Sequence, residues 1–550
     1  MRLRLPVLLA SFVVATALAV PSHAATEWVE ERAYVPTTHG EMFVDFVRPK
    51  TGKAPVILHI TPYRYLYADA DPSASRSDFY RTRYNRQGYA VAYGDLLGTG
   101  LSGGCWDYGG KAEAESGAAL VEWLGTRSWS NGKVGMVGTS YDGAIQLEIA
   151  TLAPKHLAAI VPQEPVSSWY EYNYDHAVTH NSNDDTSAAE TGYPIGTPDL
   201  FDAVLGTTPN PDTTHVTPDR AQQDARDLAT GCGIAEHELR GHYAQPEYTD
   251  FWKERDWALR AGNVRAAVLF QHGWRDMNTK PNNFTRYWLN LKHPAEARAI
   301  VGQWEHTDVF SSPPSGVAFP VPPLDVLDGF FAKWLKGAKS KAYDRFPKIM
   351  SQAQDKQFRS TLPMSAPQTR WVLAHPGSAV GAIGSPAAGD GSFVNSGSET
   401  SKRYKADPTT QLGYTAYAGK PLVKDLRLAG SGSVTLRMTC SLPRGQVAAT
   451  LFDVSPETTA AKVITLGLLD LRFRDSLTTP KDVPIGTAFT AKVSLRPQDY
   501  VIKKGHRLLL TIAGSDVVWG VPDPVSGQQI TVASGSVLSL PLGSAGAVLG

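Results

Sequence analysis

Three polar residues lie directly after short apolar runs, in an order that suits nucleophilic catalysis. They are Ser140, Asp276 and His306. A serine hydroxyl has a high pKa and is a weak nucleophile at neutral pH, so it needs a base that removes its proton. That base in turn needs a carboxylate to orient it. On a sheet of alternating strands and helices these groups arrive in the order serine, carboxylate, histidine. We therefore predict that Ser140 is a nucleophile, His306 its general base and Asp276 the group that holds the imidazole.

The segment VGMVGTSYDGA, residues 134–144, carries the predicted nucleophile. An apolar run ends at Gly138, Ser140 follows, and a helix-compatible stretch starts at Ala144. A strand, a tight turn and a helix in this order form a nucleophile elbow, which exposes the serine. The second glycine of the usual G-x-S-x-G pattern is displaced to Gly143, and Asp142 takes its place. A Gly-rich structural turn is the alternative interpretation.

Neighbouring residues compete for two of these roles. His272 could be the base, but it precedes Asp276 and lies nearer the end of its strand, so we interpret it as a structural or pocket residue. Glu305 and Asp308 could replace Asp276, but both adjoin His306 itself.

An acyl-transfer site also needs hydrogen-bond donors for the oxyanion. The backbone N–H of Tyr141, the residue after the nucleophile, is one donor. The second usually comes from the loop after an early strand, which here reads HITPYRY (59–65) and has no glycine. The phenolic O–H of Tyr63 is the candidate; a tyrosine simply packed in place is the alternative.

The elements that must position these residues form an α/β pattern. Continuous apolar runs suit strands buried on both faces of a parallel sheet. EAESGAALVEWL (113–124) between two of them has the spacing of one helix face. We predict a doubly wound sheet. The predicted strands are residues 55–60, 88–95, 133–138, 157–162, 266–273 and 297–302.

Two further regions differ from this pattern. The stretch from about residue 167 to 260 is rich in Asp, Asn, Thr, Tyr and Trp and has helical pieces such as 219–229. It predicts an inserted cap that shapes a substrate pocket. An insertion without function is the alternative. After residue 337 the content of Gly, Ser, Thr and Pro rises, and short alternating runs broken by turns predict a β-sandwich or jelly roll from about residue 365 to the end. The predicted organisation is a signal peptide (1–24), a first sheet part (25–165), the cap (166–260), a second sheet part (261–345) and the C-terminal sandwich (365–550).

Size and composition describe a large folded protein. The chain has 550 residues, which is too long for a single hydrophobic core and predicts two or three domains. Hydrophobic residues make up 42% of the sequence, enough to form these cores. Lys plus Arg and Asp plus Glu number 53 each, so charge gives no reason to expect nucleic acid or an anionic membrane as partner.

The N-terminal sequence and the cysteines bear on the cellular compartment in which the protein is located. Arg2 and Arg4 precede an apolar run that ends in Ser-His-Ala, as in a secretory signal cleaved before residue 25; a retained membrane anchor is the alternative. We expect a soluble protein outside the cytoplasm, secreted or periplasmic. In an oxidising compartment Cys105 and Cys232 could pair and leave Cys440 as a buried thiol, although the sequence leaves the pairing open.

Several motifs together resemble one family. TPYRY, GDLLGTGLSGG, GTSYDG, HGWRDMN, GQWEH and a C-terminal LRPQDYVIKKGHRL are similar, in type and order, to the X-Pro dipeptidyl-peptidase and cocaine-esterase group of serine hydrolases. The resemblance runs from about residue 34 to the C-terminus. It implies an α/β-hydrolase sheet with a helical cap and a C-terminal jelly roll, a triad of Ser140, Asp276 and His306, and an oxyanion hole from Tyr63 and the Tyr141 amide.

Within the group, VSSWYEYN (166–173) and the form of HGWRDMN look closer to the X-Pro dipeptidyl-peptidases than to the esterases. Such an enzyme needs an apolar slot for the proline ring and acidic groups for the free ammonium of the peptide. The candidates for the slot are Trp169, Tyr170, Trp274 and Trp304. The candidates for the ammonium are Glu164, Glu171, Asp184 and Asp185. Trp169 ranks first for the slot and Glu171 first for the ammonium.

The sequence therefore predicts a secreted enzyme that acts on a peptide or small acyl substrate without metal or organic cofactor. Two rival hypotheses stay open: an esterase or β-lactam acylase with the same triad, and a non-catalytic secreted binding protein. The oligomeric state, a homo-oligomer included, is also open.

Overall fold

The computed structural model describes most of the chain outside its N-terminus and part of the predicted cap. The described residues are 27–63, 76–180, 232, 245–362, 364, 366–375, 380–385, 388–398, 413–457, 461–521, 527–544, 546, 548 and 549. The predicted signal peptide, the predicted helical piece 219–229, Asp184 and Asp185 lie outside these residues. Among the described helices, none is both long and apolar enough to cross a membrane.

A ten-stranded sheet with helices on both faces forms the first part of the fold. Its strands run in the order β1-β2-β4-β3-β5-β6-β9-β10-β11-β12, and the pairs from β4 to β11 are parallel. The strands are β1 Trp28–Pro36, β2 Glu41–Pro49, β3 Ala54–Thr61, β4 Ala90–Asp95, β5 Ser130–Thr139, β6 Leu157–Gln163, β9 Ala267–Gly273, β10 Ala297–Gly302, β11 Ile349–Gln352 and β12 Phe358–Arg359; β7 Tyr174–Asp175 and β8 Val178–Thr179 form a separate hairpin.

The helices of this region include the helix predicted for 113–124 and the helix predicted after Ser140. They are α1 Arg76–Asn85, α2 Lys111–Gly125, α3 Tyr141–Thr151, α4 Trp169–Asn173, α5 Asp250–Glu254, α6 Lys280–Asn290, α7 Pro323–Lys336 and α8 Lys341–Arg345, with a 3₁₀ helix at Trp257–Asn263.

The six predicted strands are all present because their residues are apolar on both faces. β4 and β9 are buried at every position, as expected for strands covered by helices on both sides. The antiparallel strands β1 and β2 extend the sheet beyond the predicted set, and β1 has one partly exposed face. The α/β prediction is confirmed, with four more strands at the sheet edges.

The second part of the fold is rich in antiparallel sheet, as the alternating runs predicted. Its strands are β13 Gln368–Ala374, β14 Gly381–Ile383, β15 Gly391–Val394, β16 Tyr414–Ala418, β17 Leu426–Gly430, β18 Ser433–Cys440, β19 Gln446–Val454, β20 Ala461–Asp470, β21 Phe489–Ser494, β22 Gln498–Ile502, β23 Arg507–Ala513, β24 Gln529–Val532 and β25 Ser536–Gly543, with a 3₁₀ helix at Leu471–Phe473. They enclose an apolar core of their own.

The start of β22 ties this second part to the loop after β9. Gln498 donates a hydrogen bond to the backbone oxygen of Trp274 (2.6 Å). The carboxylate of Asp499 accepts two hydrogen bonds from the guanidinium of Arg427, at 2.7 and 2.6 Å, and one from Ser351 (2.6 Å) on β11. The C-terminal part therefore contacts the segment that leads to Asp276.

Candidate active site

The carboxyl ends of the parallel strands bring the predicted catalytic residues to one edge of the sheet. Tyr63 follows β3, Ser140 follows β5, Asp276 follows β9 and His306 follows β10. This edge is where ligand chemistry collects in open α/β sheets.

Ser140 occupies the turn between β5 and α3 with an unusual backbone conformation. Its φ is 65°, in the left-handed region that costs energy for a non-glycine residue. The turn is held on both sides, because Ser140 N–H donates to the Gln163 oxygen (2.9 Å) and Ala144 N–H donates to the Ser140 oxygen (2.9 Å). This is the strand, strained serine and helix of a nucleophile elbow.

Asp142, which replaces the expected glycine, forms a buried pair with His59. His59 Nε2 lies 2.7 Å from Asp142 Oδ2, and both side chains are about 95% buried. His59 belongs to β3 and also stacks on Tyr93 at 5.2 Å between ring centroids. The pair joins the first turn of α3 to the neighbouring strand and so helps to fix the elbow.

Asp276 is fully buried and surrounded by donors. Its Oδ1 accepts backbone hydrogen bonds from Asn278 (2.8 Å) and Thr279 (3.0 Å), and its Oδ2 accepts one from the Thr279 hydroxyl (2.7 Å). His306 Nδ1 lies 2.8 Å from the same Oδ2. Burial alone would raise the pKa of Asp276, but the charge and hydrogen bond of His306 outweigh it, and the net pKa is well below its usual range.

His306 is in the position of a base that a carboxylate orients. Nδ1 faces Asp276, and the side chain is 23% exposed while Asp276 is 0% exposed. Among the described residues no hydrogen bond joins His306 to the Ser140 hydroxyl. Such bonds are often long before substrate binds.

The competing residues have other partners. His272 is buried beneath the site, and burial lowers its pKa to about 4, so it is neutral at pH 7. Glu305 is exposed and pairs with Arg275 (2.8 Å). Asp308 caps its own loop by accepting hydrogen bonds from Phe310 N–H (2.8 Å) and from the Ser311 hydroxyl (2.6 Å). None of these contacts involves His306.

Tyr141 begins α3, where the oxyanion amide of an elbow lies. Its hydroxyl donates to Glu113 Oε2 (2.9 Å) and accepts from Trp106 Nε1 (3.0 Å). Glu113 Oε1 also accepts the backbone N–H of Asp107 (2.9 Å). Burial and the charge of Asp107 raise the pKa of Glu113 to about 8. A buried carboxyl therefore anchors the residue next to Ser140.

Tyr63 lies two residues past the end of β3 and is half-buried. Its backbone N–H donates to the Thr61 hydroxyl (3.1 Å), and its side chain packs against the main apolar core. The predicted role of its phenol in the oxyanion hole stays a prediction.

The predicted slot residues lie at the same edge but are packed inside the protein. Trp169 on α4 has no exposed surface and donates from Nε1 to Glu148 (3.1 Å). Trp274 is equally buried and donates from Nε1 to Ser351 (3.2 Å). These indole N–H groups point at protein partners, which favours a structural role for both residues; contact with substrate stays a prediction.

The remaining slot candidates are also buried. Tyr170 on α4 donates from its hydroxyl to the Pro246 oxygen (2.8 Å). Trp304 is 4% exposed, and its ring lies against Phe319 at 5.9 Å. Both could contact a substrate only if neighbouring residues move.

The two described candidates for the ammonium group differ. Glu171 is partly exposed, with its carboxylate 3.3 Å from Arg286 and 3.2 Å from the amide of Asn282. Glu164 is fully buried, with both oxygens engaged by Gln271 (2.6 Å) and the N–H of Gly273 (2.9 Å). The prediction that Glu164 binds a substrate ammonium is therefore wrong, because no substrate group can reach it.

Sequence reasoning thus missed three contributions to the site: the Glu164 carboxyl behind Asp276, the Glu113 anchor and the pair of Asp142 with His59. Acidic residues next to predicted strands were visible in the sequence. Their burial was not, because it depends on which strands pack side by side.

Comparison with known proteins gives a family match across most of the chain. Residues 40–308 match the model of the X-Pro dipeptidyl-peptidase (S15 family), and residues 344–538 match the model of the X-Pro dipeptidyl-peptidase C-terminal non-catalytic domain.

Individual relatives agree with this match. A Streptomyces avermitilis protein named "Putative Xaa-Pro dipeptidyl-peptidase" is 27% identical, over 86% of this chain and 76% of its own. A Lacticaseibacillus rhamnosus Xaa-Pro dipeptidyl-peptidase is 24% identical, over 97% of this chain and 70% of its own. The solved structure of an alpha-amino acid ester hydrolase, 18% identical, superposes with a TM-score of 0.70 over 97% of this chain and 98% of its own.

Proposed function

The chain belongs to the X-Pro dipeptidyl-peptidase (S15) family of serine hydrolases, and from this premise we propose that it releases N-terminal Xaa-Pro dipeptides through an acyl-enzyme formed on Ser140. The observation that carries the proposal is the buried Asp276 carboxylate 2.8 Å from His306 Nδ1, at the sheet edge where the strained Ser140 turn ends β5. Each residue type and position suits acyl transfer.

In the proposed reaction His306 removes the Ser140 proton as Oγ attacks the carbonyl carbon of the proline residue. The C–N bond then breaks, and the same proton passes from His306 to the leaving amine. His306 then takes a proton from water, which attacks the acyl carbon. The bond to Ser140 Oγ breaks, His306 returns the proton to Oγ, and the dipeptide leaves. The buried negative charge of Asp276 favours the imidazolium that forms in both steps.

The developing oxyanion needs two donors in this proposal. The Tyr141 amide is one, held in place because Glu113 and Trp106 fix the Tyr141 side chain. The Tyr63 hydroxyl is the other, since its loop has no glycine that would let the backbone approach. Loss of one such donor costs about 10²–10³ in rate.

Selectivity for a free N-terminus requires a negative group near the substrate ammonium. Glu171 is the proposed group, because it is the described candidate whose carboxylate is partly exposed at the sheet edge. The proline ring would pack against Tyr170 and Trp304 only after the residues that now cover these two side chains move.

A substrate panel tests the proposal. Ala-Pro-p-nitroanilide, its N-acetyl form and short p-nitrophenyl esters are offered to the same preparation. We expect cleavage of the free-amine peptide and at least ~10-fold slower cleavage of the blocked one, since a lost charged hydrogen bond costs about 1.5–3 kcal/mol. Hydrolysis of the esters alone would identify an esterase. Cleavage of none, without fluorophosphonate labelling, would identify a binding protein.

We also propose that the protein acts outside the cytoplasm. The signal-like N-terminal sequence and the Cys105–Cys232 disulfide support this location, because disulfides persist in oxidising compartments. Detection of the full-length protein only in the cytoplasmic fraction of its host would contradict it.

A further inference from the structure

Glu164 lies directly behind the predicted catalytic carboxylate. It follows the last residue of β6, has a φ of 43° and is fully buried. A carboxylate oxygen of Glu164, a carboxylate oxygen of Asp276 and a ring nitrogen of His306 all lie within 4.8 Å of one another. Two carboxyl groups thus share one buried site beside the imidazole.

Three hydrogen bonds to residues of β9 hold Glu164 in place. Its backbone N–H donates to the Gln271 oxygen (2.9 Å), the Gln271 amide donates to Oε1 (2.6 Å), and the N–H of Gly273 donates to Oε2 (2.9 Å). Since β9 leads to Asp276, the two carboxyls are fixed relative to each other. The left-handed φ of Glu164 is a strain that these contacts maintain.

The charges that face Glu164 are insufficient for two carboxylates. The titratable groups are Asp276, His306 and His272, whose Nδ1 lies 3.5 Å from Glu164 Oε2. His272 is neutral at pH 7, because burial lowers its pKa to about 4. His306 can donate one hydrogen bond to one carboxylate, and two buried like charges this close do not both ionise.

Asp276 is the group that ionises. Four donors face it, from Asn278, two from Thr279 and from His306, whereas Glu164 receives two neutral donors. Burial and the charge of Asp276 raise the pKa of Glu164 well above its usual value. The proton of the pair therefore resides on Glu164 at neutral pH.

We propose that Glu164 is a protonated positioning residue that donates a hydrogen bond to the Asp276 carboxylate and so orients it toward His306. This inference rests on the proposed function, since Glu164 acts only through Asp276. The donated hydrogen bond also withdraws charge from Asp276. Without it, Asp276 attracts the imidazolium proton more strongly, so the base stays protonated to higher pH.

Two substitutions of similar volume separate this role from simple packing. Glu164→Gln keeps a neutral donor, and we expect kcat within about threefold of the wild type. Glu164→Met removes the donor, and we expect kcat to fall roughly 10- to 100-fold with KM unchanged. The acid limb of kcat/KM should move to higher pH in Glu164→Met and stay in place in Glu164→Gln.

Two outcomes overturn the proposal. In one, Glu164→Met matches the wild type; in the other, both variants are impaired equally and the acid limb does not move, as a packing role predicts. Gln271→Met provides a second test if no variant at 164 folds. It removes a donor that holds Glu164 and should move the acid limb in the same direction by less, and an unmoved limb there also overturns the proposal.

A double-mutant cycle shows whether Glu164 acts through Asp276. In an Asp276→Asn background, Glu164→Met should cause no further loss of kcat, whereas an unchanged additional loss would contradict the inference. Ser140→Ala separates the two failures. If Ser140→Ala keeps full activity, the proposed function fails; if it is inactive while Glu164→Met is normal, only the role of Glu164 fails.

Discussion

Gly143 and Gln163 touch so closely that no side chain fits between them. A Cβ at position 143 would lie 2.7 Å from the Gln163 backbone oxygen, which itself accepts the Ser140 N–H. α3 therefore crosses β6 at residue 143 rather than at 142. This contact explains why the second glycine of the elbow is displaced and why Asp142 can carry a side chain.

Gly143→Ala should disturb the elbow more than its one added carbon suggests. Overpacking of this kind costs about 1–3 kcal/mol, and the backbone that shifts is the one that holds Ser140. We expect a lower melting temperature and a loss of more than ~10-fold in kcat/KM. Gly543→Ala is the matched control, because a Cβ there meets nothing within 4 Å. Equal behaviour of both variants would show that the contact is unimportant.

Glu171→Gln tests recognition of the substrate ammonium. The variant keeps the volume and the contact with Asn282 but loses the charge that faces Arg286. We expect KM for Ala-Pro-p-nitroanilide to rise about 10-fold with little change in kcat, and KM for the N-acetyl form to stay constant. Glu254→Gln, which removes another ion-paired acid of this region, is the control. A parallel rise for both substrates would assign Glu171 a structural role only.

The buried Glu113 gives a pH dependence of stability with a definite sign. Its pKa is raised to about 8 in the folded protein, from 4.5, so the folded state keeps a proton that the unfolded chain releases. Its stabilising effect is full below pH 4.5 and is lost as the pH rises through 8. We expect the free energy of unfolding to fall by at least ~1 kcal/mol between pH 5 and pH 8, and by less in Glu113→Gln.

Thermal unfolding across this pH range measures the difference. Glu148 and Glu164 have raised pKa values of the same origin, so the slope of Glu113→Gln should be reduced rather than zero. Glu115→Gln, on the same helix, is the control, because a hydrogen bond from His39 lowers the pKa of Glu115. Identical slopes in wild type and Glu113→Gln would refute the assignment.

The cysteines predict a simple thiol count. Cys105 and Cys232 form a disulfide between residues 127 apart, and Cys440 is buried and free. Unfolded without reductant, the protein should therefore react with one equivalent of a thiol reagent, and with three after reduction. Three equivalents before reduction would contradict the disulfide.

The sequence was most informative where a pattern of residues is compatible with only one local structure. Runs such as AVLFQHG in β9 are apolar on both faces, and only a strand between two layers buries both, so the parallel sheet could be predicted. The order of Ser140, Asp276 and His306 along these strands then placed them at one edge. β1 and β2 were not predicted, because their partly polar faces resemble surface loops.

Side-chain burial was less accessible from the sequence. Glu164 and Glu171 are both acidic residues after β6, yet one lies behind Asp276 and the other is partly exposed beside Arg286. Their difference depends on β9 packing beside β6, a contact between residues more than 100 positions apart. The same holds for Trp169, whose indole turns inward to Glu148 rather than outward to a slot.

Hydrolysis of Ala-Pro-p-nitroanilide by the wild type and by Ser140→Ala tests the central claim most directly. The variant loses only the hydroxyl, and its melting temperature should equal that of the wild type. We predict that p-nitroaniline release falls by more than ~10³-fold, because removal of a triad nucleophile leaves only binding and oxyanion stabilisation. Release by Ser140→Ala at the wild-type rate would contradict the account.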